Sequence, residues 1–126
     1  MTAVAHHPYT GMPYSPDTHA AWNPFQQTAE LHKLMTFLGD GNKRVWGTEA
    51  GAWTGTSTHA VSEAQQAEYV HEYLQGWKDW SFAGPFFYYS LRDLGTDLGD
   101  REDNFGLLRH DRSTKPAMAA FTQEMR

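Results

Sequence analysis

Lys43-Arg44-Val45-Trp46-Gly47-Thr48-Glu49 decides the fold, because it reads as a strand with helical sequence on either side. Val45 and Trp46 favour extended backbone, and Glu49 stands at the C-terminal end. Upstream, Asn23 is a good N-cap and Pro24 suits the first helical position. Leu31, Leu34, Met35 and Leu38 then recur at i, i+3, i+4 and i+7 until Gly39 stops the pattern. Downstream lies a loop over 50–61, rich in Gly and Thr. Ser62 with Gln65 forms a capping-box pattern, and Ala67, Val70, Tyr73, Leu74 and Trp77 supply the apolar stripe of a helix running to about Trp80.

The same unit repeats outward in both directions. Ala3 to His7 reads as a strand closed by Pro8, which places His7 and Tyr9 at its C-terminal end, and residues 10–21 look like a connecting loop. Gly84 to Leu91 is a continuous apolar and aromatic run, as expected of a strand covered on both faces, closed by Arg92 and Asp93. The acidic stretch 94–103 reads as a solvated loop, 104–108 as a short extended piece, and Lys115-Pro116 opens a last helix with Ala117, Ala120 and Phe121 on one side. Val4, Val45 and Phe86 lie 41 residues apart each time. Strands alternating with helices imply right-handed crossovers and a parallel sheet. Such an α/β chain is either an open doubly wound sheet or a partial (β/α)8 barrel, since a full barrel needs about 250 residues.

Composition narrows the partners. The 126 residues are 40% hydrophobic and 14% aromatic, enough for one domain or part of one. A formal charge of −5 argues against a surface that neutralises phosphates, so no nucleic acid and no membrane surface is expected as a partner. No apolar run approaches a membrane span, and the N-terminus lacks the order of a signal peptide. The absence of cysteine excludes disulfides and thiolate metal sites, and leaves localisation open between the cytosol and secretion of a parent protein.

In a parallel α/β sheet, functional residues gather where strands end. His7 and Tyr9, Glu49, and Arg92 with Asp93 all fall there, while Trp22, Trp53, Tyr14 and Tyr88 or Tyr89 are candidates for flat apolar walls. Carboxylates among aromatic planes suit a sugar, whose C–H faces stack and whose hydroxyls form hydrogen bonds. His7-Pro8-Tyr9, Trp46-Gly47-Thr48-Glu49-Ala50-Gly51, Phe87 to Asp93, Asn104-Phe105-Gly106-Leu107 and Lys115-Pro116-Ala117 together resemble the last three βα units of a clan A glycoside hydrolase, the cellulase and β-xylosidase type of TIM barrel. The resemblance covers almost the whole chain. It implies a retaining β-glycoside hydrolase in which residues 1–126 are the C-terminal part of a single catalytic domain, with the sixth to eighth strands. It further implies that Glu49 is the nucleophile, that His7 and Tyr9 hold its carboxylate, and that carbohydrate is the substrate.

The retaining mechanism also needs an acid/base carboxyl group. In this family it is a Glu following an Asn at the end of the fourth strand, and no Asn-Glu pair occurs in the chain. Asp93 is a conceivable substitute, although Arg92 beside it would keep it ionised. The isolated chain is therefore expected to be inactive and to need a missing N-terminal barrel portion, or to self-associate. Trp53, Tyr89, Arg92 and Asp93 are the expected substrate contacts, whereas Trp22, Trp46, Trp77 and Trp80 are read as packing residues. Without the motif, Glu49 reads as an ordinary loop or ion-pair residue, and His7 and Tyr9 as structural caps of a sheet end. No metal site is expected: His6 and His7 point to opposite faces of a strand, and the spacing of Asp97, Asp100, Glu102 and Asp103 misses the EF-hand pattern. No cofactor is implied. A rival reading is a non-catalytic carbohydrate-binding or structural half-barrel. An open-sheet binding protein is disfavoured because no Gly-rich phosphate loop follows a strand.

Overall fold

The computed structural model describes residues 2–10, 15–16, 20 and 22–126. Tyr14 lies outside them. Three strands, β1 (Ala3–His6), β2 (Arg44–Ala50) and β3 (Ala83–Tyr88), form one sheet in the order β1-β2-β3, with both pairs parallel. The crossovers carry α1 (Gln27–Phe37) and α2 (Glu63–Lys78), and α3 (Pro116–Glu124) closes the chain after a short 3-10 turn at Glu102–Asn104.

The repeat holds exactly once. Val4 pairs with Val45, as the 41-residue spacing expects, but β3 is shifted: Val45 faces Ala83 and Gly47 faces Phe86, with irregularities between the paired positions. β3 also ends three residues short of the expected Leu91. Beyond Tyr89, whose N–H still donates to the Ala50 carbonyl, the backbone leaves β2 for the segment before α3: Ser90 N–H donates to the Phe105 carbonyl, Leu107 N–H to Ser90, and Arg92 bridges to Leu108.

The α2 expectation is realised in detail. Ser62 accepts the Gln65 N–H at 3.2 Å while Gln65 Oε1 accepts the Ser62 N–H at 3.0 Å, and Val70, Tyr73, Leu74 and Trp77 are buried. The start of α1 differs. Asn23 is fully buried and organises a turn before the helix: its Oδ1 accepts the Phe25 N–H, its carbonyl accepts the Gln27 N–H, and its Nδ2 donates to the Ser15 carbonyl. Helical geometry thus begins at Gln27. Of the expected apolar stripe only Met35 is buried and Leu31 partly so, whereas Leu34 and Leu38 are exposed, as is Phe37 beside them. Gly39, at φ +88°, ends the helix in the left-handed conformation that glycine adopts without steric cost.

The core lies on one face of the sheet. Phe25, Val45, Tyr73 and Trp77 pack there, and a second cluster of Val70, Leu74, Leu107 and Ala117 joins α2 to α3. The expectation that β3 is covered on both faces is not met among the described residues: Phe87 is 54% exposed, and on β2 Trp46, read as a packing residue, is 39% exposed. Trp22 is exposed as well. Among the described residues, helices cover one side of the sheet only.

A polar clasp fixes α3 on α2. Glu124, buried, accepts from His71 Nδ1 at 2.7 Å, Lys78 Nζ at 3.0 Å and Gln75 Nε2. The Lys78 ammonium, then His71 and Gln75, hold its carboxyl below the usual range. A depressed folded-state value means the stabilisation is present above the unfolded-state value and is lost as pH falls through the folded one. Glu124→Gln is therefore expected to lose about 1 kcal/mol at neutral pH, a difference that shrinks on acidification. Urea denaturation across pH 3–7 checks this, and a pH-independent difference would assign the loss to packing.

Candidate functional site

The loops at the C-terminal ends of all three strands enclose a cavity of about 430 Å³ lined by Tyr9, Glu49, Trp53, Tyr89, Arg101, Glu102 and Phe105. A larger hollow of about 810 Å³ lies over α3, but its carboxylate, Glu63, is bound by both Nε and Nη2 of Arg109. The smaller cavity is the chemically equipped one.

Glu49 sits next to the end of β2, with 43% of its side chain exposed to the cavity and solvent. Tyr9, just past β1, donates its hydroxyl to Glu49 Oε2 at 3.2 Å. The next residue is anchored: Thr10 N–H donates to the Tyr73 hydroxyl, whose burial on α2 pushes its pKa up to about 12. His7 Nδ1 stands 3.6 Å from the same Glu49 oxygen, just beyond hydrogen-bond length. Burial first, and then the neighbouring Glu49 charge, push the Tyr9 phenol well above its ordinary value, so it stays protonated and remains a donor.

The wall behind these groups is aromatic. Phe105, buried, forms its floor, with Tyr9 at 6.0 Å, Tyr89 at 5.1 Å and Trp53 at 5.4 Å between ring centroids. Tyr89 is brought in by the close approach of two backbones. A Cβ on Gly51 would lie 1.9 Å from the Tyr89 carbonyl oxygen, so only glycine fits directly after β2. Tyr88 points instead to the core, against Phe121, and its hydroxyl accepts the Ala52 N–H.

Of the expected sugar contacts, Trp53 and Tyr89 reach the cavity; Arg92 and Asp93 do not line it. Arg92 is exposed, and Asp93 is buried. Asp93 Oδ1 accepts from Lys115 Nζ at 2.8 Å and from the Gly106 N–H at 2.7 Å, and the same ammonium donates to Thr54 Oγ1 at 3.1 Å. Trp53 is also less open than a free stacking platform, being 9% exposed with the Arg101 guanidinium 5.9 Å above its ring.

Arg101 and Phe105 are not among the expected site residues, and Glu102 entered only in the acidic set whose spacing misses a calcium loop. The acidic stretch is exposed, as expected, but it is not a formless loop. Asn104 Nδ2 donates to the carbonyls of Asp97 and Asp100, and the turn so formed delivers Arg101 and Glu102 to the cavity. The asparagine was the available signal. Among the described residues no group of three His, Asp or Glu could hold a metal ion, and no helix is long and apolar enough to cross a membrane.

No protein-family model and no curated protein matches the chain. Solved structures do. The chain is similar to a family 39 glycoside hydrolase from Bacteroides cellulosilyticus, at 25% identity and a TM-score of 0.75, over 97% of this chain and 26% of that one. It is also similar in fold to a GH2 β-galacturonidase from Eisenbergiella tayi (18% identity, TM-score 0.74, 98% of this chain and 23% of that one) and to a β-glucuronidase from Faecalibacterium prausnitzii (20%, 0.64, 99% and 22%). The chain therefore has a glycoside hydrolase-like α/β fold, and it spans about a quarter of the length of those enzymes.

The Asp93–Lys115 pair gives a direct test of structural against sugar-binding roles. Asp93→Ala leaves a buried ammonium without its counter-charge and is expected to cost about 3–5 kcal/mol in urea denaturation. A loss below about 1 kcal/mol would return Asp93 to the list of ligand contacts.

Proposed function

We propose that this chain is the nucleophile-bearing part of a retaining β-glycoside hydrolase of the clan A, (β/α)8-barrel type. Its strands are the sixth to eighth, and the whole protein acts on β-linked glucans, xylans or related glycosides. One observation carries the reading: Tyr9 and His7, from the end of one strand, converge on a single carboxylate oxygen of Glu49 at the end of the next, against an aromatic wall. The fold shared with the family 39 enzyme supports it.

In this mechanism the Glu49 carboxylate attacks the anomeric carbon as the bond to the leaving oxygen breaks, giving a covalent glycosyl-enzyme. The leaving oxygen takes a proton from a carboxylic acid placed about 5–5.5 Å from Glu49, which then deprotonates the water that displaces Glu49. Tyr9 fixes one oxygen of the nucleophile and leaves the other to attack. His7 reaches hydrogen-bond length after a shift of about half an ångström.

The acid/base comes from outside these 126 residues, which hold no Asn-Glu pair. Asp93 is spent on Lys115, and Glu102 Oε1 accepts the Arg101 Nε–H at 2.9 Å. The rest of the barrel would also pair the outer edges of β1 and β3 and cover Trp46 and Phe87.

Those exposed apolar side chains equally favour a second reading, a non-catalytic carbohydrate-binding half-barrel that covers the same surface with another copy of itself. Under either reading the isolated chain is expected to self-associate. Sedimentation would show this, with Trp46→Lys and Phe87→Lys together shifting it toward monomer; a clean monomer before substitution would count against both.

Catalysis separates the two readings. The DNA upstream of Met1 is expected to stay open for about 200 residues and to encode a strand ending in Asn-Glu. In the joined protein, Glu49→Gln should lower turnover of aryl β-glycosides by about 1,000-fold or more, and Tyr9→Phe by about 10–100-fold. A stop codon just upstream, or full activity in Glu49→Gln, sinks the hydrolase reading.

A further inference from the structure

His7 and Tyr9, the two groups that converge on Glu49, belong to one tight turn. Tyr9 N–H donates to the His7 carbonyl at 2.9 Å across Pro8, whose ring is buried and fixes φ. The turn is held at both ends. Before it, His6 pairs with Gly47 and its carbonyl accepts the Thr48 hydroxyl at 3.3 Å, which ties it to the strand that carries Glu49. After it stands Thr10, buried, and the hold comes from α2: Tyr73 Oη accepts the Thr10 N–H at 3.3 Å and shares a second bond with Thr10 Oγ1 at 3.2 Å. We propose that Tyr73 is a positioning residue for Glu49, its hydroxyl setting the donor Tyr9 through Thr10. Tyr73 itself does not line the cavity, and the proposal rests on the reading of Glu49 as the nucleophile.

Packing asks for a ring at this place and not for a hydroxyl. Tyr73 is fully buried, with Phe25 and Phe86 at 5.4 and 6.1 Å between ring centroids, and a phenylalanine would fill the same space. Taking a phenol out of water is unfavourable unless its polar atom is paired. Here one residue satisfies it in both senses: Thr10 N–H fills the acceptor role, and Thr10 Oγ1 can take the phenol's own proton. Burial keeps that proton in place, pushing the pKa up to about 12. Two bonds to one residue, to its backbone and to its side chain, fix its orientation as well as its distance. The side chain of the preceding residue, Tyr9, is aimed with it.

The aim matters because the bond it serves has little slack. Tyr9 reaches Glu49 Oε2 at 3.2 Å, the long end for an O–H···O bond, so a displacement of a few tenths of an ångström loses it. Phe105, edge-on with its centroid 6.0 Å away, supports the Tyr9 ring from one side and does not hold its backbone. That hold comes from the turn and from Tyr73.

The test follows the Glu49 carboxyl carbon by NMR against pH in the full 126-residue chain, with no substrate added. A bond donated to a carboxylate favours its charged form, so Tyr9→Phe is expected to move the titration to higher pH. Tyr73→Phe, which keeps the ring, should move it the same way by about 0.3 pH unit or more. The two substitutions together should move it no further than Tyr9→Phe alone, because Tyr73 acts only through Tyr9. Val70→Ala, which opens a cavity in the cluster between α2 and α3, lowers stability and should leave the titration in place. Should Tyr73→Phe fail to fold, Thr10→Val, which keeps the N–H bond and removes that of the hydroxyl, is expected to give a smaller shift in the same direction. No shift in the variant that folds, additive shifts in the double variant, or an equal shift in Val70→Ala overturns the role of Tyr73 and leaves the glycosidase reading standing. In the joined protein, Tyr73→Phe should lower kcat for aryl β-glycosides severalfold with KM little changed. Full turnover in Glu49→Gln instead sinks the glycosidase reading, and with it any nucleophile for Tyr73 to position.

Discussion

The Lys115–Asp93 pair ties together the pieces from which the site is made. Lys115 precedes α3, Asp93 follows β3, Thr54 belongs to the loop after β2, and Gly106 follows the 3-10 turn; all four meet within one buried cluster of hydrogen bonds. Bringing two charges out of water costs several kcal/mol per ion, and the arrangement persists because each charge has several partners. Its return is positional rather than energetic. With those four segments locked, Phe105 can stand as a floor between Tyr9, Tyr89 and Trp53, and the cavity has fixed walls.

Gln66 does similar work from the helical side. Fully buried on α2, its Nε2 donates to the carbonyls of Ala52 and Gly106, so the helix holds the loop after β2 and the strand-like segment before α3 with one amide. The core and the site are therefore one structure. α2 packs the sheet through Tyr73 and Trp77, and it spaces the site loops through Gln66 and the Tyr73 hydroxyl.

Local rules made the elements legible and left the contacts between them illegible. The capping box of Ser62, the glycine stop at Gly39 and the Val4–Val45 pairing follow from periods and caps that act within a few residues, so they are readable along the chain. The placement of Glu49 with His7 and Tyr9 was readable as well, because strand ends in a parallel sheet share one face. Asp93 was not. As an acidic residue at a strand end it looks like Glu49, and what separates them is a lysine 22 positions on that arrives only in the folded chain. Leu34 and Leu38 mislead in the opposite sense: an apolar stripe states that a helix has a face to bury, and says nothing of whether the covering surface belongs to the same chain.

That distinction bears on how the molecule is stabilised. A parallel sheet is ordinarily covered on both faces, since its crossovers place helices there or its curvature closes it on itself. Here α1 and α2 cover one face, while Trp46 and Phe87 project from the other, and among the described residues β1 and β3 are edge strands with no further strand beside them. Exposing such rings forfeits about 25 cal/mol for each Å² left in water, and an open edge is a template for further pairing. Both penalties vanish together if more strands extend the sheet until it closes, because closure pairs the edges and buries the inner face in one step. The same closure would bring further strand ends to the face on which Glu49 stands, so under the proposed function one set of further strands would both cover this surface and supply the second carboxyl group that the chemistry needs.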